Sequence, residues 1–186
     1  MQRDTLQLIQ SRRSHRKYTA RHLTQAPLDI LLDAALASPS AVNRQPWHFS
    51  VVQDQALLNR LHQEAAENAL ARDKAQRSPR YDDPDFHIFY HAPTVIFLSA
   101  PRDLRSAPLD CGIAVYGIAL AAESLGLGSV ILGMPRDAFA GEAREELEKA
   151  LAFPDGYGFI IAIALGQPDD DKAPHDKHPE KISIIR

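Results

Sequence analysis

The chain has 186 residues, 45% of them hydrophobic, with a formal net charge of −3 and a sequence pI near 6.2. That length and apolar content suffice for one continuous core without disulfides or a structural metal. The negative balance excludes a global basic field for nucleic acid, so a cluster of cations here reads as local recognition.

From the N-terminus, residues 4–11 predict a first helix, with Asp4 or Thr5 placed to cap it and Leu6, Leu8 and Ile9 able to face a core. It delivers the run RRSHRKY, in which Arg12, Arg13, Ser14 and Arg16 stand close together. Arginine forks match phosphate oxygens two at a time, and a dianionic phosphate best balances so much local charge. The alternative is a solvated basic face at a helix end, where cations complement the dipole. Residues 24–37 predict a second helix, with Pro27 in its first turn and a stripe of Leu28, Leu31, Leu32, Ala35 and Leu36.

The stretch SPSAVNRQPWHF follows, residues 38–49. Pro39 and Pro46 fix φ locally and lack N–H groups, Ser40 offers a hydroxyl, and Asn43 and Gln45 each offer a donor and an acceptor. Such a turn suits the mixed edge of a heterocycle, with Trp47 and Phe49 as apolar backing. The plainer reading is a helix-to-strand loop whose amides satisfy its own carbonyls.

Residues 48–53 predict a strand, and Asp54 can cap a third helix with Leu57, Leu58 and Leu61 inward. The apolar stripe is expected to stop there. Residues 64–87 read as a polar helix and a loop that either covers a site or forms a surface excursion. His87 and His91 have helical spacing but no third ligand in a metal pattern. Residues 94–99 are a buried strand by composition. Asp110 is expected to cap a helix running to Leu125, with Ile113, Tyr116, Gly117, Leu120, Ala121 and Ser124 as its small packing face and Gly126 as its stop. The single cysteine, Cys111, has no internal partner; it fits a reducing compartment and reads as core.

Residues 129–132 predict a short strand, 137–151 a charged, solvent-facing helix and 157–165 the most apolar, central strand. Gly126, Gly128 and Gly133 follow a helix, which is the wrong place for a dinucleotide fingerprint. The tail is polar until ISII, residues 182–185, a strand signal too short to stand alone. No repeat or domain boundary interrupts residues 1–186, which read as a single domain. Neither a signal peptide nor a membrane-spanning run is visible, so the expected location is cytoplasmic.

RRSHRKY and SPSAVNRQPWHF together resemble the FMN-dependent nitroreductase family, and the resemblance continues in HAPTVIF, DCGIAVYGIALAAESLGLGSVILG and IAIALGQP, in the family's order. It implies an α+β, three-layer α/β/α fold: a central mixed, mainly antiparallel sheet flanked by helices in an intertwined homodimer. By the same resemblance, Arg12, Arg13, Ser14 and Arg16 hold the FMN phosphate, with Lys177 before the last strand as a further basic contact. Pro39, Ser40, Ala41, Asn43 and Gln45 lie against the ring and ribityl from the opposite subunit, and Leu132 and Gly133 approach flavin N5 and O4. The implied activity is ping-pong hydride transfer from NAD(P)H to a nitroaromatic, quinone or related planar acceptor, with no metal, nucleic acid or membrane involved. Two other readings stand beside it: an FMN storage or sensor protein without turnover, and an α/β interaction domain without flavin.

Overall fold

The computed structural model describes residues 4–186. Helix α1, Thr5–Ser11, opens on a capping box in which the Gln7 N–H donates to Asp4 at 2.8 Å and the Gln7 side chain accepts from the Asp4 N–H. The predicted core face of this helix is only partly covered: Leu8 is half-buried, whereas Leu6 and Ile9 are 68% and 42% exposed and no residue of α1 is fully buried. Helix α2, Gln25–Leu36, buries Leu28, Leu31 and Ala35, while Leu36 turns outward.

Four strands follow: β1 His48–Val52, β2 Thr94–Pro101, β3 Gly128–Leu132 and β4 Tyr157–Gly166. They pair in the order β1-β2-β4-β3, every pair antiparallel, and among the described residues the mixed character is confined to one parallel bridge from Ser14 to Ser129 on β3. Successive residues of the inner strands serve opposite faces, as a pleat requires. Val95, Phe97, Ala162 and Ala164 belong to one core with Leu58, Leu61 and Leu147. Ile96, Leu98, Ile163 and Leu165 belong to a second with Leu31, Val115 and Ile118. Helices on both faces make the three layers.

Helix α3, Gln55–Leu70, starts where Asp54 accepts the N–H groups of Ala56 and Leu57. Its buried stripe does not end at Leu61, because Ala65 and Ala69 continue it; small side chains let the helix approach the turn at residues 134–139. Helix α4, Ala107–Ser124, begins a turn earlier than expected, after Ser106. Asp110 is therefore inside it and caps nothing there. The buried face is Cys111, Ala114, Val115, Ile118, Ala119 and Ala122, whereas Ile113 and Tyr116 are 39% and 38% exposed. Gly126, at φ 70°, stops the helix as predicted.

The helix expected over residues 137–151 is divided. Residues 134–139 form a 3-10 turn begun by Gly133 and Pro135, and only α5, Arg144–Ala150, is α-helical. Gly141 lies at the break against Asn68, where a Cβ would stand 2.5 Å from the amide oxygen. Nor is the segment wholly solvent-facing, since Ala138, Leu147 and Leu151 are buried. Among the described residues the ISII segment pairs with no strand of its own chain: Ile182, Ile184 and Ile185 are 70%, 74% and 92% exposed.

Because Leu61 is fully buried, Leu61→Ala is expected to cost about 2–5 kcal/mol in chemical denaturation. Leu70→Ala, at the half-exposed end of the same helix, should stay within about 0.5 kcal/mol. Equal losses would contradict the assignment of the α3 core face.

Candidate functional site

The basic run leaves α1 and is drawn along the outer edge of β3. Ser14 bridges to Ser129, and the His15 N–H donates to the Ser129 carbonyl at 3.0 Å. This fixes Arg12, Arg13, Ser14 and Arg16 as one wall of a cavity of about 210 Å³, completed by Lys172, Ala173 and His175. Among the described residues, no carboxylate lines it. The Nε groups of Arg12 and Arg16 are buried with no hydrogen-bond partner among the described residues, a costly state for a charged donor unless an anion meets it. Arg16 also lies over the Tyr90 ring, 5.7 Å from its centroid.

Lys177 is exposed and is not part of this wall; Lys172 is the lysine that reaches it. The chain after β4 is laced to the basic run, with the Thr19 N–H donating to Gln167 at 3.0 Å and the Asp169 N–H to Lys17 at 2.9 Å. That lacing brings Lys172 to the cavity and carries residue 177 past it.

The loop before β1 is built under strain. Val42, Asn43 and Gln45 have φ of 48°, 54° and 48°, a left-handed conformation that costs on the order of 1 kcal/mol or more for each non-glycine residue. It is held from beneath: the Ala41 N–H donates to Asp110 at 2.9 Å, and the Gln45 N–H to the Ser40 hydroxyl at 2.9 Å. Asp110 is 1% exposed, so the position read as a helix cap serves as the anchor of this loop. Asn43 and Gln45 do not close the loop's carbonyls; they bond each other at 3.1 Å and stand exposed with Pro39 and Ala41. Pro46 and Trp47 are buried behind them.

Loop and cavity are far apart in one chain. Ser14 lies beside Ser129, which is level with Leu165 and Thr94, whereas the loop enters the sheet at His48, level with Ser99. The separation is five residues along the strands and four strand spacings across, about 17 Å by about 19 Å, or roughly 25 Å on the diagonal. Leu132 and Gly133, at the far end of β3, lie on the cavity's side of the sheet. Leu132 is 5% exposed, and Gly133 accepts from Arg136 Nε at 3.1 Å.

A second cavity of about 470 Å³ shares Arg16 with the first and is lined by Tyr18, Asp83, Asp85, Phe86, His87 and Tyr90 among others. Residues 83–91 thus form a wall that the sequence left undecided between cover and surface excursion. His87 lies between the tilted rings of His62 and His91, with centroids 4.3 and 4.4 Å away. Burial, then its two histidine neighbours, depress its pKa to about 3. Both its ring nitrogens are occupied, one by Asn59 and one by the Phe89 N–H. Cys111 is fully buried, and burial followed by the charge of Asp110 pushes its thiol up to about 12, as fits a packing residue.

Comparison with known proteins agrees with this architecture. The model of the nitroreductase family matches residues 9–167. A protein of Methanothermobacter thermautotrophicus, provisionally named NADH dehydrogenase/NAD(P)H nitroreductase, is 32% identical, the match covering 97% of this chain and 86% of the relative. The NADPH-flavin oxidoreductase of Vibrio harveyi is 27% identical, over 97% of this chain and 72% of its own length. Among solved structures, a nitroreductase with bound FMN from Desulfitobacterium hafniense superimposes with a TM-score of 0.92 at 32% identity, over the full length of both chains. An FMN-dependent nitroreductase of Clostridium difficile gives 0.84 at 30% identity, again over both chains in full. With the basic wall on β3, the strained amide loop before β1 and these likenesses together, the chain belongs to the nitroreductase family.

Proposed function

We propose that this chain, an FMN-dependent oxidoreductase by family, works as a homodimer that moves electrons from NAD(P)H to a small planar acceptor such as a nitroaromatic or quinone. The observation that carries the proposal is that Ser14 of the basic cavity wall and His48, where the amide loop enters the sheet, lie at opposite corners of one sheet, roughly 25 Å apart by strand spacing. Two half-sites that far apart are completed by a second copy, the cavity of one subunit meeting the loop of its partner.

The residues present fit FMN. The cavity wall offers four Lys or Arg side chains and a serine hydroxyl, and the unpartnered Arg12 and Arg16 Nε groups supply donors suited to a phosphate. When bound, the flavin supplies the hydride chemistry, and the protein supplies binding, orientation and electrostatics. Arg12, Arg13, Ser14 and Arg16 hold the phosphate, with Lys172 in the place the sequence suggested for Lys177. The partner subunit's Asn43 and Gln45 meet the polar edge of the ring, fixed by their strained backbone. Leu132 and Gly133 border the ring from the cavity's own subunit. No acid–base pair is required of the chain for this reaction.

The surface suits a second copy. Leu109, Ile113 and Tyr116 recur at helical spacing on the exposed side of α4, with Leu6 and Ile9 of the neighbouring α1 also exposed. The edge of β3 is occupied by Ser14 and His15, whereas β1 is the open edge of the sheet. The unpaired residues 182–185 of the partner are suited to that edge. From residue 173 to 182 the chain can span about 30 Å, enough to leave its own subunit.

The function is tested by anaerobic addition of NADH or NADPH to the purified protein. We expect a yellow protein that bleaches and regains its colour with a quinone or nitroaromatic. Colour without bleaching would leave flavin binding without turnover, and a colourless protein that takes up no FMN would overturn the reading.

Deleting residues 180–186 should shift the protein toward monomer and release FMN in the same step, because a site made of two chains loses its cofactor when they part. Sedimentation with flavin absorbance reads both. A stable dimer with full FMN would contradict the exchange of the tail.

A further inference from the structure

We infer that Asp170 is a positioning residue of the phosphate cavity, one that sets how strongly the site prefers a phosphorylated flavin. The inference rests on the reading of that cavity as a phosphate site. A carboxylate beside a cluster of cations ought to weaken their hold on an anion, so its placement calls for a reason. Asp170 does not line the cavity. Its side chain is 7% exposed and lies behind the wall, with Oδ1 at 2.6 Å from His15 Nδ1. Oδ2 accepts the Arg16 N–H at 3.0 Å and faces Lys172 Nζ at 3.2 Å. One buried carboxylate thus holds three groups from two segments, and two of the three belong to residues of the cavity wall.

The arrangement is charged and tight. Burial alone would raise the Asp170 carboxyl, but hydrogen bonds from the Arg16 N–H, His15 and Lys172 outweigh it and hold the group below its ordinary range. Asp170 is therefore an anion at neutral pH. Burial, then that anion, hold the Tyr18 phenol well above its ordinary value, so it stays protonated and donates to the His15 carbonyl at 2.7 Å. Behind the brace, Gly128 leaves no spare room: a Cβ there would stand 2.9 Å from Pro168 Cβ and 3.1 Å from His15 Cβ.

Two consequences follow for the wall. The Arg16 backbone is pinned, which fixes where its guanidinium starts, and Lys172 is kept close while the mutual repulsion of the cations is offset before any anion arrives. Removing the charge of Asp170 frees Lys172 and the Arg16 main chain without touching the flavin ring or the ribityl contacts. The effect should appear only with a ligand that carries a phosphate.

The test compares FMN with riboflavin, which has the same ring and ribityl chain and no phosphate. Flavin-free protein is titrated with each by fluorescence quenching. The unaltered protein should prefer FMN. Asp170→Asn should lose about tenfold in FMN affinity, the scale of one charge-assisted hydrogen bond, and keep riboflavin affinity within about twofold. His15→Ala, which removes a partner of Asp170 and leaves the cavity wall in place, should lose FMN affinity selectively by about threefold. It decides the point if Asp170→Asn does not fold. Equal losses for both flavins, or no loss for FMN, would overturn the positioning role. Equal affinity of the unaltered protein for FMN and riboflavin would overturn the phosphate reading itself, and this inference with it.

Discussion

The physical constraint on which the structure depends is the gathering of four Lys or Arg side chains around one small cavity in a chain whose net charge is −3. Like charges brought together and partly dried repel, and unpartnered guanidinium nitrogens add a desolvation cost. The chain answers with backbone and counter-charge. Ser14 and His15 join the edge of β3, so the basic run inherits the rigidity of the sheet. Asp170 ties the run to the chain beyond β4. The Arg12 and Arg16 Nε groups keep no partner among the described residues, a cost that the proposed phosphate would offset.

The loop before β1 works by the same logic with different materials. Three non-glycine residues in left-handed backbone persist only because their surroundings hold them there. Asp110 beneath, the Ser40 hydroxyl alongside and buried Pro46 and Trp47 behind provide that hold. The amides of Asn43 and Gln45 are exposed and held by their bond to each other. In the proposed dimer, the strained loop of one subunit and the unbalanced charge of the other, at opposite corners of their sheets, would meet with flavin between.

Much of this was legible in the sequence because local rules and tertiary packing agree. Asp54 caps α3, Gly126 ends α4, and the apolar runs of β2 and β4 are the two inner strands. The rest fails where a distant partner decides. An acid near the start of α4 reads as a cap, yet the donor that Asp110 accepts from is 69 residues away. The charged pattern over residues 137–151 suits a helix, but Gly141 against Asn68 and Pro135 in the preceding turn break it. Lys172 and Lys177 are equivalent by composition, and nothing local shows that the bridge between Tyr18 and Pro168 brings the nearer one to the cavity wall. The wall at residues 83–91 has no periodicity to read, since its shape comes from short turns and from rings packed edge-on or tilted against one another.

The central claim, that each flavin site takes its phosphate wall from one chain and its ring loop from the other, is tested most directly by mixing two defective chains. One carries Arg12→Ala with Arg16→Ala, the other Asn43→Ala with Gln45→Ala, and each homodimer should retain little FMN. Heterodimers isolated through two different tags contain one fully intact site only if the halves come from different chains. The account predicts one tightly bound FMN per heterodimer; heterodimers as empty as their parents would contradict it.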